Sequence, residues 1–310
     1  MNPPAPVTRT FAFFISMLIQ IPDKIKNKDQ KSARHHIFLT LRYYHCECYL
    51  QFMNSEKLTG RNFWETYWET GSGRKRNKRP SLSILEILKA FDRYLPAEKG
   101  LTVLEIGGAK GEFLLYLVKR FGYEGHSLDY SSAGNEQTLE TFSRAGYTVQ
   151  VYERDLFADN SDLPLFDIVF SLGFIEHFDD PVPVVESHLK LVRPGGILLL
   201  GVPNYSGIYK WVLKRLAPSI FITHNLRTMD LRTWDEFEKK FGLETLYRAY
   251  IGGFEPLNMK KFEKKNLINR LIYLKIQILT VLFSFRFRGL RKFNSATVSS
   301  YLMGIYRKSK

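Results

Sequence analysis

The stretch Val103-Leu-Glu-Ile-Gly-Gly-Ala-Lys-Gly111 decides how this chain is read. An apolar run interrupted by one carboxylate, Glu105, ends in a glycine-rich turn, and residues 112–121 then follow a helical period. Glycines at such a turn permit positive φ and let a ligand approach the backbone, while the helix start offers free N–H groups. A carboxylate inside an apolar strand has a desolvation cost and calls for a partner. The turn is not a dinucleotide fingerprint. With Gly107 first, the second and third glycine positions fall on Ala109 and Glu112, and a bulky acid would stand where helix and strand must pack. Glu105-x-Gly107-x-x-x-Gly111 suits a ligand with an ammonium group and a sulfonium better than a pyrophosphate. Gly108 and Ala109 complete the turn.

Working outward, strands and helices alternate from Leu101 onward. Strands are expected at 102–106, 125–129, 147–152, 166–172, 196–202 and 243–250, with a last one at 298–307. Helices are expected at 112–121, 134–144, 182–191 and 233–241. Upstream, residues 62–68 form a short aromatic helix packed on the main domain, and a capping box, Ser83-x-x-Glu86, opens a helix to about Leu95. This alternation predicts an α/β fold: a Rossmann-like, doubly wound seven-stranded sheet, mostly parallel with an antiparallel last strand. Helices cover both faces, and ligands sit at the carboxyl ends of the strands.

Taken together, the motifs resemble those of class I S-adenosylmethionine-dependent methyltransferases, in particular the branch of the ubiquinone-biosynthesis-type enzymes. The resemblance covers about residues 63–254. Val103 to Gly111 is similar to the family's first motif, with Ala109 where glycine is usual. His126-Ser-Leu-Asp129 resembles the acidic end of the second strand, which implies that Asp129, followed by Tyr130, holds the ribose hydroxyls. Arg154-Asp155-Leu156 resembles the segment flanking adenine, with Asp155 accepting from its amine. Phe166 to Pro181 resembles the fourth motif with its Glu176-His177 pair, and places Ser171 and Leu172 beside the cofactor. Leu189 to Gly196 with the following strand resembles the fifth. The resemblance implies S-adenosyl-L-methionine as cofactor and direct methyl displacement onto a small-molecule acceptor, with lipid or quinol-like molecules among the acceptors.

For an oxygen acceptor the candidate catalytic groups are His177, just past the fourth strand, and His224, after the fifth. Each histidine has a loop-stabilising reading beside the chemical one. Glu176, Asp179 and Asp180 near His177 imitate a metal cluster, but two of these acids precede Pro181 and suit a helix start, so no metal is expected.

The formal charge of +14 lies on the flanks. Residues 1–52 hold 7 basic against 3 acidic residues, residues 260–310 hold 13 against 1, and residues 53–259 hold 25 against 27. A near-neutral centre argues against nucleic acid as substrate, as does the lack of an Asn/Asp-Pro-Pro-Tyr/Phe motif. Residues 271–285 are apolar nearly all round and flanked by Lys260, Lys261, Lys264, Lys265, Arg286, Arg288, Arg291 and Lys292. They read as a helical lid or as an anchor on an anionic membrane surface. The two cysteines, Cys46 and Cys48, suit a reducing compartment, and the chain is expected to be cytoplasmic or peripheral to a membrane.

The organisation expected is an extension over 1–52, ahead of a domain-like start at Met53, and a helical cap with linker over 53–99. A methyltransferase core over 100–259, the basic apolar insertion over 260–297 and a last strand with tail over 298–310 follow. Two other readings are a nicotinamide-dependent oxidoreductase or epimerase, and a non-catalytic or membrane-attached binding protein.

Overall fold

A computed structural model describes residues 57–69, 80–254, 267–286 and 293–310. The expectations for residues 1–52, the basic loop 74–79 and the lysines of 260–265 lie outside these. The elements in chain order are α1 (Arg61–Glu69), α2 (Leu82–Tyr94), β1 (Thr102–Ile106), α3 (Glu112–Phe121), β2 (Glu124–Asp129), α4 (Ser132–Ala145), β3 (Gln150–Glu153) and β4 (Phe166–Leu172). After β4 come a 3-10 turn (Ile175–His177), α5 (Pro181–Leu191), β5 (Val192–Pro203), α6 (Gly207–Leu216), α7 (Ile220–Thr223) and a second 3-10 turn (Leu226–Met229). The chain continues through α8 (Leu231–Phe241), β6 (Glu244–Phe254), α9 (Leu267–Arg286) and β7 (Ser299–Arg307).

The strands form one sheet of order β3-β2-β1-β4-β5-β7-β6. β1 pairs in parallel with β2 and β4, β2 with β3, and β4 with β5. β7 runs antiparallel to both β5 and β6, as expected of the last strand. Side chains alternate faces with period two, and both faces are buried. Val103, Ile168, Phe170, Leu199 and Ile305 pack with α2 and α3 residues such as Phe91, Leu114 and Leu117. Leu104, Val169, Leu198, Leu200 and Tyr306 pack with Val184, Val185, Trp234 and Phe237 of α5 and α8. This two-sided burial is why β1 and β4 read as mostly apolar rather than alternating.

β3 starts at 150 rather than 147, β6 runs to 254 rather than 250, α7 was not expected, and three further differences have a reason in the contacts. The cap of α2 is Ser81, whose side chain accepts from the Ile84 amide at 3.3 Å. Glu86 is drawn away to the Gly252 amide, at 2.8 Å, and to Asn294, so Ser83-x-x-Glu86 makes no capping box. β5 begins at Val192 rather than 196 because Phe166 of β4 pairs with Val192 before a register shift. Helix α6 falls where no element was expected. It buries Tyr209, Leu213 and Leu216, against which Ile272 and Tyr273 of α9 pack.

Candidate active site

The order β2-β1-β4 reverses winding at β1, and a crevice opens there at the carboxyl ends of the strands. It holds a cavity of about 310 Å³, lined on the sheet side by Glu105, the turn Gly107 to Lys110, Asp129, Tyr130, Leu172 and Phe174. Trp64, Tyr67 and Trp68 of α1 form the opposite wall, with His177 and Phe178 at one end. A smaller neighbouring recess is bounded by Asp129, Tyr130, Asp155, Leu156, Phe174 and Phe178.

The turn is built for close approach. Gly107 has φ +64°, and a Cβ there would fall 2.2 Å from the Phe174 ring; at Gly108 it would fall 2.0 Å from the Glu105 carboxyl carbon. Lys110 sits at φ 86°, rare for a residue with a side chain. The turn therefore holds a backbone path that only small residues at 107 and 108 permit.

Both strand-end carboxylates are buried. Glu105 is 1% exposed, and its Oε2 has no hydrogen-bond partner among the described residues. Burial, with Asp129 and Glu112 nearby, holds its carboxyl well above the usual range, although the Leu114 amide donates to it. Asp129 is 7% exposed and accepts from the Ser131 amide at 2.9 Å. Burial pushes its carboxyl up to about 6, against the lowering effect of surrounding amides. A buried, partnerless carboxylate oxygen and a second acceptor one strand away fit a ligand that brings an ammonium group and hydroxyl donors.

Helix α1 is tied to this platform by Glu65. Its carboxylate accepts from the Ser131 hydroxyl and the Ser132 and Ala133 amides, at 3.0–3.1 Å, so that it caps the start of α4 from outside the helix. Lys57 pairs with Asp155 across the mouth of the smaller recess, its ammonium 5.3 Å from the Tyr130 ring centre.

At the far end, His177 and His224 lie with ring centres 4.5 Å apart. His177 Nδ1 faces the Thr223 carbonyl at 2.7 Å, and His224 Nδ1 faces the Ile220 carbonyl at 2.9 Å. Burial, then the neighbouring His224, lowers His177 to about 3; burial lowers His224 to about 4. Glu176, 1% exposed with a partnerless Oε2, is raised by burial to about 8. Asn225 stitches the two segments together: its amide donates to Glu176 O at 2.6 Å, and its side chain to the carbonyls of Phe178 and Asp179.

Of the expected site residues, the structure brings Glu105, Gly107, Gly108, Ala109, Asp129, Tyr130 and Leu172 to the main cavity, together with His177. Asp155 and Leu156 lie on the smaller recess. Three are placed elsewhere. Ser171 turns into the interior, its Oγ 3.0 Å from His188 Nε2. Gly111 caps α3 with φ 59° and lies outside the cavity lining, and a Cβ there would meet Thr138 of α4 at 2.8 Å. His224 stands behind His177 rather than on the cavity wall. Asp180 caps α5 through the Val182 amide at 3.0 Å, the role that sequence favoured for it. Sequence reading missed the aromatic wall and Lys57, whose partners lie some distance along the chain. The four aromatic residues between 63 and 68 were the available signal.

A doubly wound sheet with acidic ends on β1 and β2, joined over a glycine turn, defines the class as S-adenosylmethionine-dependent methyltransferases of class I. A family model for the methyltransferase domain matches residues 75–247, and the chain belongs to that family. The ubiquinone biosynthesis O-methyltransferase of Caulobacter vibrioides is 31% identical over 186 residues, covering 56% of this chain and 68% of that one. The 27-O-demethylrifamycin SV methyltransferase of Amycolatopsis mediterranei is 27% identical over 163 residues, 49% of this chain and 57% of that one. The structure of N-methyltransferase NodS from Bradyrhizobium japonicum, in complex with S-adenosyl-L-homocysteine, superposes with a TM-score of 0.47 at 14% identity. The match covers 84% of this chain and 98% of that one. The chain is thus a methyltransferase whose cofactor is S-adenosyl-L-methionine, and the nicotinamide and non-catalytic readings fall away.

Proposed function

We propose that the enzyme methylates a hydroxyl of a small aromatic or lipid-like acceptor. The observation that carries this reading is the cavity itself: a glycine turn and two buried carboxylates on one side, three aromatic rings of α1 on the other, and His177 at its end. The names of the two curated relatives, both transferases of a methyl to oxygen on small molecules, support the oxygen acceptor. Bound S-adenosylmethionine supplies a methyl on a sulfonium, an electrophile joined to a good leaving group. The residues of the chain do the rest. Glu105 receives the ammonium group, Asp129 the ribose hydroxyls, and the recess beside Asp155 and Leu156 the adenine. Trp64, Tyr67 and Trp68 exclude water and hold a flat or greasy acceptor in line. The carbon–oxygen bond forms as the carbon–sulfur bond breaks, sulfur leaves as a neutral thioether, and the hydroxyl proton is given up at the polar end built on Glu176 and His177.

The acceptor-side surface supports a membrane-facing role as well. Leu267, Leu271, Leu274 and Ile278 of α9 are each half exposed or more and recur at helical spacing, with Ile268 beside them. The basic excess of residues 260–310 is the complement of an anionic headgroup layer. Among the described residues no helix is long and apolar enough to cross a membrane, so the expected mode is resting on the surface.

Calorimetric titration with S-adenosylhomocysteine tests the core of the proposal. Micromolar binding, weakened on the order of tenfold or more by Asp129→Ala, is expected, with NADH inert. A folded protein that binds neither ligand overturns it. A radiolabelled methyl screen over phenols, quinols and amines then reads the acceptor class; transfer to amines alone rules out the hydroxyl assignment.

A further inference from the structure

The polar end of the cavity has an arrangement that hydrogen bonding alone leaves incomplete. A carboxylate oxygen of Glu176 and one ring nitrogen from each of His177 and His224 all lie within 4.8 Å of one another. Each Nδ1 faces a backbone carbonyl, at 2.7 and 2.9 Å. A carbonyl only accepts, so each ring carries its proton on Nδ1 and keeps its lone pair on Nε2. Three groups of metal-ligand type therefore share one small volume. His177 Nε2 and Glu176 Oε1 are 3.9 Å apart, too far for a hydrogen bond. Glu176 Oε2 is buried and has no hydrogen-bond partner among the described residues.

We propose that Glu176, His177 and His224 bind one divalent first-row transition ion, with Zn²⁺ as the reference case, against the expectation from sequence that the chain holds no metal. Two imidazoles and one carboxylate are the donor types such an ion takes, and magnesium, which favours an all-oxygen shell, suits them poorly. With ligand bonds of about 2.0–2.2 Å, neighbouring ligand atoms stand roughly 3.4 Å apart around a tetrahedral ion. The 3.9 Å separation needs a contraction of about 0.5 Å, and no pair of the three ligand atoms, all within 4.8 Å of one another, needs more than about 1.4 Å. The surroundings are those of a prepared site. The carbonyls of Thr223 and Ile220 fix both ring tautomers, as outer-shell partners of ligating histidines do. Asn225 locks the loop of His224 to the turn that carries Glu176 and His177. His224 also approaches Tyr205, ring centres 5.1 Å apart, so its ring is packed as well as hydrogen-bonded.

Three protein ligands leave a fourth position open, and His177 is the member that reaches the cavity wall. The open position is where the acceptor oxygen would bind, which gives the enzyme a means of orienting a hydroxyl beside the methyl donor. That role rests on the methyl-transfer reading; the binding of the ion does not.

The test is a titration of the chelator-treated full chain with Co²⁺, read by its visible ligand-field absorption, and with Zn²⁺, read by calorimetry. One equivalent per chain is expected, and Glu176→Gln and His224→Gln should each weaken it on the order of a hundredfold. S-adenosylhomocysteine binding, measured on the same samples, reports both the integrity of the fold and the methyl-donor reading separately. Absence of saturable Co²⁺ or Zn²⁺ binding by a chain that still binds S-adenosylhomocysteine overturns the proposal. Undiminished binding in both variants overturns it as well, since the ion would then be held elsewhere.

Discussion

Asp129 ties pH to function in two opposite directions. Its carboxyl stands at about 6 in the folded chain because burial disfavours the charge, against 3.8 for the ordinary group. Between those values the folded chain holds a proton that the unfolded chain has released. The contribution of Asp129 to stability is therefore greatest below 3.8 and declines as pH rises through the window, by about 3 kcal/mol in all. Cofactor affinity runs the other way, because ribose hydroxyls donate to the ionised carboxylate. S-adenosylhomocysteine affinity should fall by up to about tenfold per unit as pH drops below 6. Asp129→Asn should bind weakly at every pH, with that slope gone. Calorimetry from pH 5 to 8 on both proteins checks this; a slope that survives in the variant rejects the assignment. The same residue shows what one position discloses in sequence. Its place at the end of a strand was legible from the order of the motifs, with His126-Ser-Leu-Asp129 following the glycine turn, whereas its perturbed proton affinity depends on burial by the fold and then on Glu65, more than sixty residues away.

Helix α1 acts as a clamp through one side chain. Glu65 satisfies two amides at the start of α4, donors that otherwise have no intrahelical partner. Glu65→Ala should cost about 1 kcal/mol of stability. It should also weaken S-adenosylhomocysteine by several-fold, because the aromatic wall stands on the same helix. A variant with unchanged affinity shows that the wall is held by its rings alone. Elements whose signal is local were readable from sequence. The buried strands at Thr102 and Phe166 are mostly apolar, broken by Glu105 in one and by Asp167 and Ser171 in the other, and α3 and α5 carry their own periodicity. Helix α6 was missed because its start is unmarked. Ser206 makes no side-chain cap, and Gly207 enters at φ 56° with the Thr297 backbone pressed against it. The cap of α2 was misplaced by two residues because Glu86 looked like a local capping partner while its actual partners are at positions 252 and 294. The site divides in the same way: the turn and strand ends are contiguous in sequence, whereas the pairing of His224 with His177 spans 47 positions and only the fold supplies it.

At the scale of the molecule, charge and apolar surface are segregated. The centre of the chain is nearly neutral, and the basic excess gathers in the segment that contains the exposed face of α9. This predicts co-flotation with vesicles rich in phosphatidylserine at low ionic strength and none with phosphatidylcholine alone. Release is expected as salt is raised towards about 0.5 M, where charge attraction reaches only a few ångströms. Failure to float at low salt removes the surface-binding role and leaves α9 as packing for α6.

The strand order has a consequence for how the chain is made. Among the described residues β7 is the only strand partner of β6, and it separates β6 from β5. As the nascent chain leaves the ribosome, the strand-end carboxylates and the glycine turn emerge long before residues 299–307. Until those residues follow, β5 and β6 present two open hydrogen-bonding edges within one unfinished polypeptide. The nucleotide platform is thus synthesised early, and the sheet that supports its acceptor side closes only with the insertion of β7.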